Sequence, residues 1–265
     1  MTTPAPQLRR SQIGLLLLIG CGSGFFAGLF GIGGGLIIIP GLVVVLGMDH
    51  RRAVGTSLLA IVPAIAVGVA AYAYGGSVDL AAGGLLAIGA VTGAQLGTRL
   101  LMTIRRRTAQ WIFVGFVAVM IVQLLLVVPN RGQGLTLDPW RIAALVGLGL
   151  VAGVLSAILG IGGGGVVVPV LMLWFGASDL VAKGASLVMM IPGVLSGVWA
   201  NLRRRNVDVR AGLTVGAASL LTSPGGAWVA HQIPAQAASV LFALFLTFIA
   251  VTMIRQAIRP EPTLG

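Results

Sequence analysis

Two glycine clusters hold the chemistry this chain can offer: Gly31, Gly33, Gly34 and Gly35 in GLFGIGGGLIIIPGL, and Gly160, Gly162, Gly163, Gly164 and Gly165 in AILGIGGGGVVVPVL. Each cluster lets the backbone turn through positive φ and leaves peptide N–H groups bare. A short apolar run follows each, and the N–H groups of its first turn have no intrahelical acceptor. In a nonpolar medium such donors must find a partner. With the positive end of a helix dipole behind them, two such termini brought together would hold an oxyanion without any charged side chain. Hydroxyls follow the clusters: Thr56 and Ser57 after the first, Ser186 after the second, with Gln95, Thr222 and Ser223 as further hydrogen-bonding groups. Glycine also serves helix packing, and Gly24 and Gly28, four apart, form a surface of that kind. Serine and threonine in membrane helices commonly bond their own backbone.

The clusters belong to a duplication. An offset of 129 residues places Gly31 on Gly160, Pro40 on Pro169, Gly55 on Gly184, Ser57 on Ser186, Pro63 on Pro192, Asp79 on Asp208 and Gly97 on Gly226, without a gap. Register held over about seventy residues marks an internal repeat. Gly165 stands where the first copy has Leu36, which makes the two half-sites unequal.

The elements that must position these residues are membrane helices. With 57% hydrophobic and 9% charged residues, the chain reads as an all-α polytopic membrane protein. Apolar runs fall at 13–30, 36–47, 53–74, 80–102, 109–128, 142–159, 165–176, 182–200, 210–230 and 236–254. At ~1.5 Å per residue the run after each glycine cluster covers roughly 18 Å of a hydrocarbon core of about 30 Å. Each long arm and its short partner therefore form either one kinked crossing or a hairpin. Charge decides for the hairpin. It puts Arg9, Arg10, Arg51, Arg52, Arg99, Arg105, Arg106, Arg107, Arg203, Arg204, Arg205, Arg210, Arg255 and Arg259 inside, and only Arg131, Arg141 and Lys183 outside. Each repeat is then a broken-helix hairpin plus three transmembrane helices, and three crossings invert the second repeat relative to the first. Inverted repeats around interrupted helices are a recurrent transporter design. The expected divisions are a cytoplasmic tail (1–12), a first membrane repeat (13–128), an outer connecting loop (129–141), a second membrane repeat (142–256) and a cytoplasmic tail (257–265).

Other classes fare worse. The net charge of +11 lies in arginine clusters between apolar runs, with no motif that docks a nucleic acid. Cys21 follows an apolar run as in a lipoprotein signal, yet cleavage there would remove the first arm of the repeat; it reads as a small packing residue. One cysteine makes no thiol cluster for a metal, and no cofactor is implied. Gly184-Ala185-Ser186 mimics a nucleophile turn, but His50 and His231 are placed in loops, so no hydrolase is expected. Asp79 and Asp208 read as helix caps. Lys183 starts a helix on the outer side and either attracts anions or sits among headgroups. No buried acid offers a proton carrier, which leaves a proton or sodium ion open as coupling partner and the oligomeric state unassigned.

GLFGIGGGLIIIPGL with HRRAVGTSLLA, and GIGGGGVVVPVL with AKGASL, resemble the TauE/SafE family of membrane permeases, over about residues 14 to 256. The resemblance implies a bacterial inner-membrane protein with both termini cytoplasmic, moving sulfite, an organosulfonate such as sulfoacetate, or thiosulfate. The glycine clusters and the hydroxyls that follow them make Gly31, Gly33, Gly34, Gly35, Thr56, Ser57, Gly160, Gly162, Gly163, Gly164 and Ser186 the candidate binding residues for a small anionic substrate. The alternative is an anion channel, or a permease for a small organic anion without sulfur.

Overall fold

The apolar runs become α-helices, because backbone in hydrocarbon must satisfy its N–H and C=O groups internally; no strand occurs among the described residues. The computed structural model describes residues 10–100, 138–159 and 162–258, and scattered positions from 108 to 122. Its helices are α1 (Arg10–Phe30), α2 (Gly35–Leu46), α3 (His50–Tyr74), α4 (Leu80–Leu100), α5 (Pro139–Leu159), α6 (Gly164–Trp174), α7 (Asp179–Arg203), α8 (Val209–Gln232) and α9 (Ala235–Ile258). The run 109–128 is helical at its described positions. Gly160, the loop 129–137, and Arg9, Arg105, Arg106, Arg107, Arg131 and Arg259 lie outside the described residues.

Among the described residues, five helices are long and apolar enough to cross a membrane: Ser11–Phe30, Arg51–Tyr74, Leu80–Gly97, Pro139–Ile158 and Asp179–Arg203. The chain is an all-α, multi-pass membrane protein. Helix α8, expected to be a crossing, has the length but is too weakly apolar to be recognised from composition. Its polar groups are spent inside the protein. The Thr222 hydroxyl donates to the Cys21 carbonyl at 2.8 Å, and Ser223 donates to the Ala64 carbonyl at 2.9 Å. Ser219 donates to the Gly20 carbonyl at 3.0 Å and lies 3.0 Å from the Ser23 hydroxyl.

Glycine decides which helices meet. Gly20, Gly24 and Gly28 of α1 lie against the backbone of α8 at Val215, Ser219 and Ser223. In the equivalent pair, Gly89, Gly93 and Gly97 of α4 lie against α5 at Val146, Leu150 and Val154. With lipid as apolar as leucine, close van der Waals approach and hydrogen bonds hold such pairs together. These contacts are reciprocal under the 129-residue offset, as are those of α3 with α8 and of α7 with α4. Helices α3 and α7 also meet: Gly55 lies against Asn201 and Asn206, Leu58 against Gly197, Gly68 against Leu187, and Ser77 against Gly184. One series of numbers rises as the other falls, so α3 and α7 run antiparallel.

Candidate functional site

The glycine clusters turn as their composition dictates. Positive φ occurs at Gly31 (70°), Gly33 (76°) and Gly34 (76°), and again at Gly162 (80°) and Gly163 (84°). In this left-handed region a Cβ costs roughly 1–2 kcal/mol per residue. The first turn reverses the chain: Gly34 lies against Ser23 and Gly41 against Ile19, so α2 runs back along α1 as a hairpin. Gly34 and Gly163 are the N-caps of α2 and α6, and neither helix start carries a side-chain cap. The helical ladders begin with the N–H groups of Ile37 and Ile38 on the Gly34 carbonyl, and of Val166 and Val167 on the Gly163 carbonyl. Ahead of them stand the N–H groups of Gly35 and Leu36, and of Gly164 and Gly165. All four residues are buried.

The two turns touch. Gly164 lies against the Gly31 carbonyl and Ile32, and the Ser186 hydroxyl donates to the Gly31 carbonyl at 2.9 Å. Met190 and Ile61, which the 129-residue offset pairs, fill the space beside both turns: side chains built on Gly33 or Gly162 would meet the Met190 methyl and the Ile61 methyl. Beside Gly162 lies a cavity of ≈ 10 Å³ bordered by Ser156, Met189, Met190 and Gly193. That is the room of about one water, too small for a sulfur oxyanion. Met190 and Ile61 thus occupy the contact between the two turns. Gly165 is buried, yet a Cβ there would have no neighbour within 4 Å, so open space faces the start of α6.

The hydroxyls have separate fates. Ser57 is fully buried, and its oxygen has no hydrogen-bond partner. Thr56 instead ties α3 to the start of α8, its hydroxyl accepting from the Asp208 N–H at 2.9 Å. Thr222 and Ser223 serve the helix contacts described above, and Gln95 is exposed. Asp79 and Asp208 are caps as expected, accepting from the N–H groups of Ala82 at 2.9 Å and Ala211 at 3.1 Å. Cys21 is exposed and is not a packing residue.

Three further sequence expectations are corrected. His231 is in the last turn of α8, not in a loop; its ring lies 5.2 Å from that of Tyr72 and its Nε2 is 3.3 Å from the Ser77 hydroxyl. His50 likewise opens α3. Lys183 does not reach headgroups: it is 2% exposed, and its Nζ pairs with Oδ2 of Asp179 at 3.4 Å. Asp179 is 0% exposed, so a buried acid exists after all. The pair stands at i and i+4 on the first turns of α7, a spacing visible in the sequence. The Lys183 backbone packs on Gly31, which puts the pair next to the glycine junction.

Comparison with known proteins agrees in kind. The profile of the family described as sulfite exporter TauE/SafE matches residues 2–124 and 145–264. The chain is 30% identical over 258 residues to a probable membrane transporter protein of Haemophilus influenzae, covering 90% of this chain and 97% of that one. It is 34% identical over 120 residues to the probable membrane transporter protein YunE of Bacillus subtilis, covering 43% of this chain and 44% of that one. No solved structure matches the chain significantly.

Proposed function

The chain belongs to the TauE/SafE family of membrane transporters, and from that premise we propose that it is a secondary carrier for a small sulfur oxyanion, sulfite or an organosulfonate, in a bacterial cytoplasmic membrane. The observation that carries this reading is the meeting of two buried helix N-termini that lack side-chain caps. Backbone N–H groups at such termini bind oxyanions without a countercharge. Ser57 adds a buried hydroxyl with no partner, and Ser186 one that can exchange the Gly31 carbonyl for a ligand.

Alternating access follows from two repeats of opposite direction. The antiparallel course of α3 against α7 and the reciprocal contacts of the halves support it. Both termini then lie inside. The junction closed by Met190 and Ile61 favours a carrier over a standing pore.

Counterflow of radiolabelled sulfite into proteoliposomes loaded with unlabelled sulfite, sulfoacetate, thiosulfate, sulfate or chloride tests the substrate class. Uptake driven by sulfur anions and not by chloride is expected; no counterflow with any of them, in folded protein, overturns the assignment. The site is tested by Gly165→Leu, which restores the residue of the first copy and strains no backbone, because Gly165 has space for a side chain and no positive φ. It should insert normally and lose at least about tenfold in counterflow, the equivalent of ~1.4 kcal/mol in binding. Wild-type counterflow in that variant overturns the glycine-tip site.

A further inference from the structure

The buried pair Asp179–Lys183 is the feature the anion site does not use. Bringing two charges into a dry interior costs several kcal/mol per ion even after relaxation, so an ion pair is weak evidence for stability. Ionisable groups inside membrane proteins are rare and as a rule functional. This pair is absent from the other half: the positions equivalent to Asp179 and Lys183 are His50 and Val54. Whatever it does happens once per molecule.

We propose that Asp179 carries a proton coupled to anion transport, with Lys183 as the charge that links the two. This rests on the carrier reading given above. In the structure the carboxylate and the ammonium face each other at 3.4 Å. The Lys183 backbone lies on Gly31, so an anion held by the glycine turns brings a second negative charge toward the same buried ammonium. Two anions sharing one cation in a low-dielectric space are unfavourable, and a proton on one of them relieves this. An organosulfonate stays ionised, and there the carboxylate is the group that can accept; sulfite can also take up a proton itself, a contribution that the comparison of variants separates. One proton from water forms an O–H bond on Asp179 as one anion binds, and on the opposite side the bond breaks as the anion leaves. By linkage, the proton strengthens anion binding as much as the anion favours the proton.

The other titratable groups brought to this end of the molecule by the elements packed on α7 have assignments of their own. Ser77, packed on Gly184, brings the α3–α4 connection, where Asp79 caps Ala82. His231 lies 3.3 Å from Ser77 and 2.8 Å from the Ala227 carbonyl. The stacking of Trp140 on Phe175 brings the start of α5, where Arg141 faces Asp138 at 3.8 Å.

The test compares two rates in the same proteoliposomes: sulfite counterflow without a pH gradient, and sulfite accumulation driven by one. Sulfite itself titrates near neutral pH, but identically in every preparation, so a difference between variants reads the protein. A gradient of about one pH unit can sustain an accumulation of about tenfold per coupled proton. Asp179→Asn should keep counterflow within about threefold of wild type and lose the driven accumulation, whereas Asp179→Glu, which keeps the acid, should retain both. Because Asp179→Asn removes the carboxylate that faces the Lys183 ammonium, the double variant Asp179→Asn/Lys183→Met is measured beside it; it should fold and likewise show no driven accumulation. Driven accumulation at the wild-type level in either neutral variant overturns the proposal. So does a wild-type protein that performs counterflow but ignores the gradient. A wild-type protein without counterflow fails earlier, at the carrier reading.

Discussion

Ser57 and Ser186 show how far a repeat predicts at the scale of one residue. The 129-residue offset pairs them, and both are fully buried. Yet Ser186 is latched to the Gly31 carbonyl while Ser57 has no partner, a difference that depends on what faces each hydroxyl across the junction. Removing a buried donor whose acceptor stays behind costs about 1–3 kcal/mol, whereas removing an unsatisfied hydroxyl costs little. Ser186→Ala should therefore lower the unfolding temperature of the purified protein, and Ser57→Ala should leave it nearly unchanged. With sulfite present the ranking should change: Ser57→Ala loses part of the ligand-induced stabilisation, read by the same melt across a sulfite titration. Equal melts for both variants without ligand would deny the asymmetry. The glycines and serines were legible because the repeat named them. The Asp179–Lys183 pair was only half legible: its i,i+4 spacing is in the sequence, but charge counting put Lys183 at the surface, and burial depends on how α7 packs behind the first glycine turn.

At the scale of elements, hydropathy located every described helix to within about one turn, since apolar length is what a bilayer selects. Helix α8 is the exception in kind: its serines and threonines weaken its apolar signal, and its partners α1 and α3 account for Ser219, Thr222 and Ser223. Glycine positions were legible as a class but not by role. Gly28 faces the Ser223 carbonyl and Gly93 the Leu150 carbonyl, whereas a methyl group placed on Gly22 or Gly147 would have no neighbour within 4 Å. A side chain against a facing main chain must part the helices, a cost of at least the 1–3 kcal/mol typical of overpacking. Gly28→Val and Gly93→Val should thus leave little monodisperse protein after brief heating in detergent, measured by size-exclusion chromatography. Gly22→Ala and Gly147→Ala should match wild type or exceed it, because alanine favours helix by up to about 1 kcal/mol over glycine. Loss of folded protein in all four alike would remove the distinction between seam and surface glycines.

At the scale of the molecule, the two halves make one argument from unrelated observations. Arginine placement in the sequence asks for the α3 start and the α7–α8 connection on the inner side, and the fold brings those same segments together: Arg52 pairs with Asp208 at 3.1 Å, and Gly55 packs on Asn206. At the opposite end Ser77 packs on Gly184, far from those arginines along both helices. A carrier of this design needs its halves to face opposite sides, because only then does exchanging their conformations swap the open side. Tyr74 ends α3 and Arg204 follows the last residue of α7; the two stand one position out of register under the repeat, and both are exposed. In a Cys21→Ser background, which leaves no other thiol, Tyr74→Cys should react with a membrane-impermeant maleimide added to intact cells. Arg204→Cys should react only after the membrane is opened. Labelling of both from the same side would mean that the repeats are not inverted, and alternating access by exchange of equivalent halves would fall with it, while the family assignment and the meeting of the two glycine turns would stand.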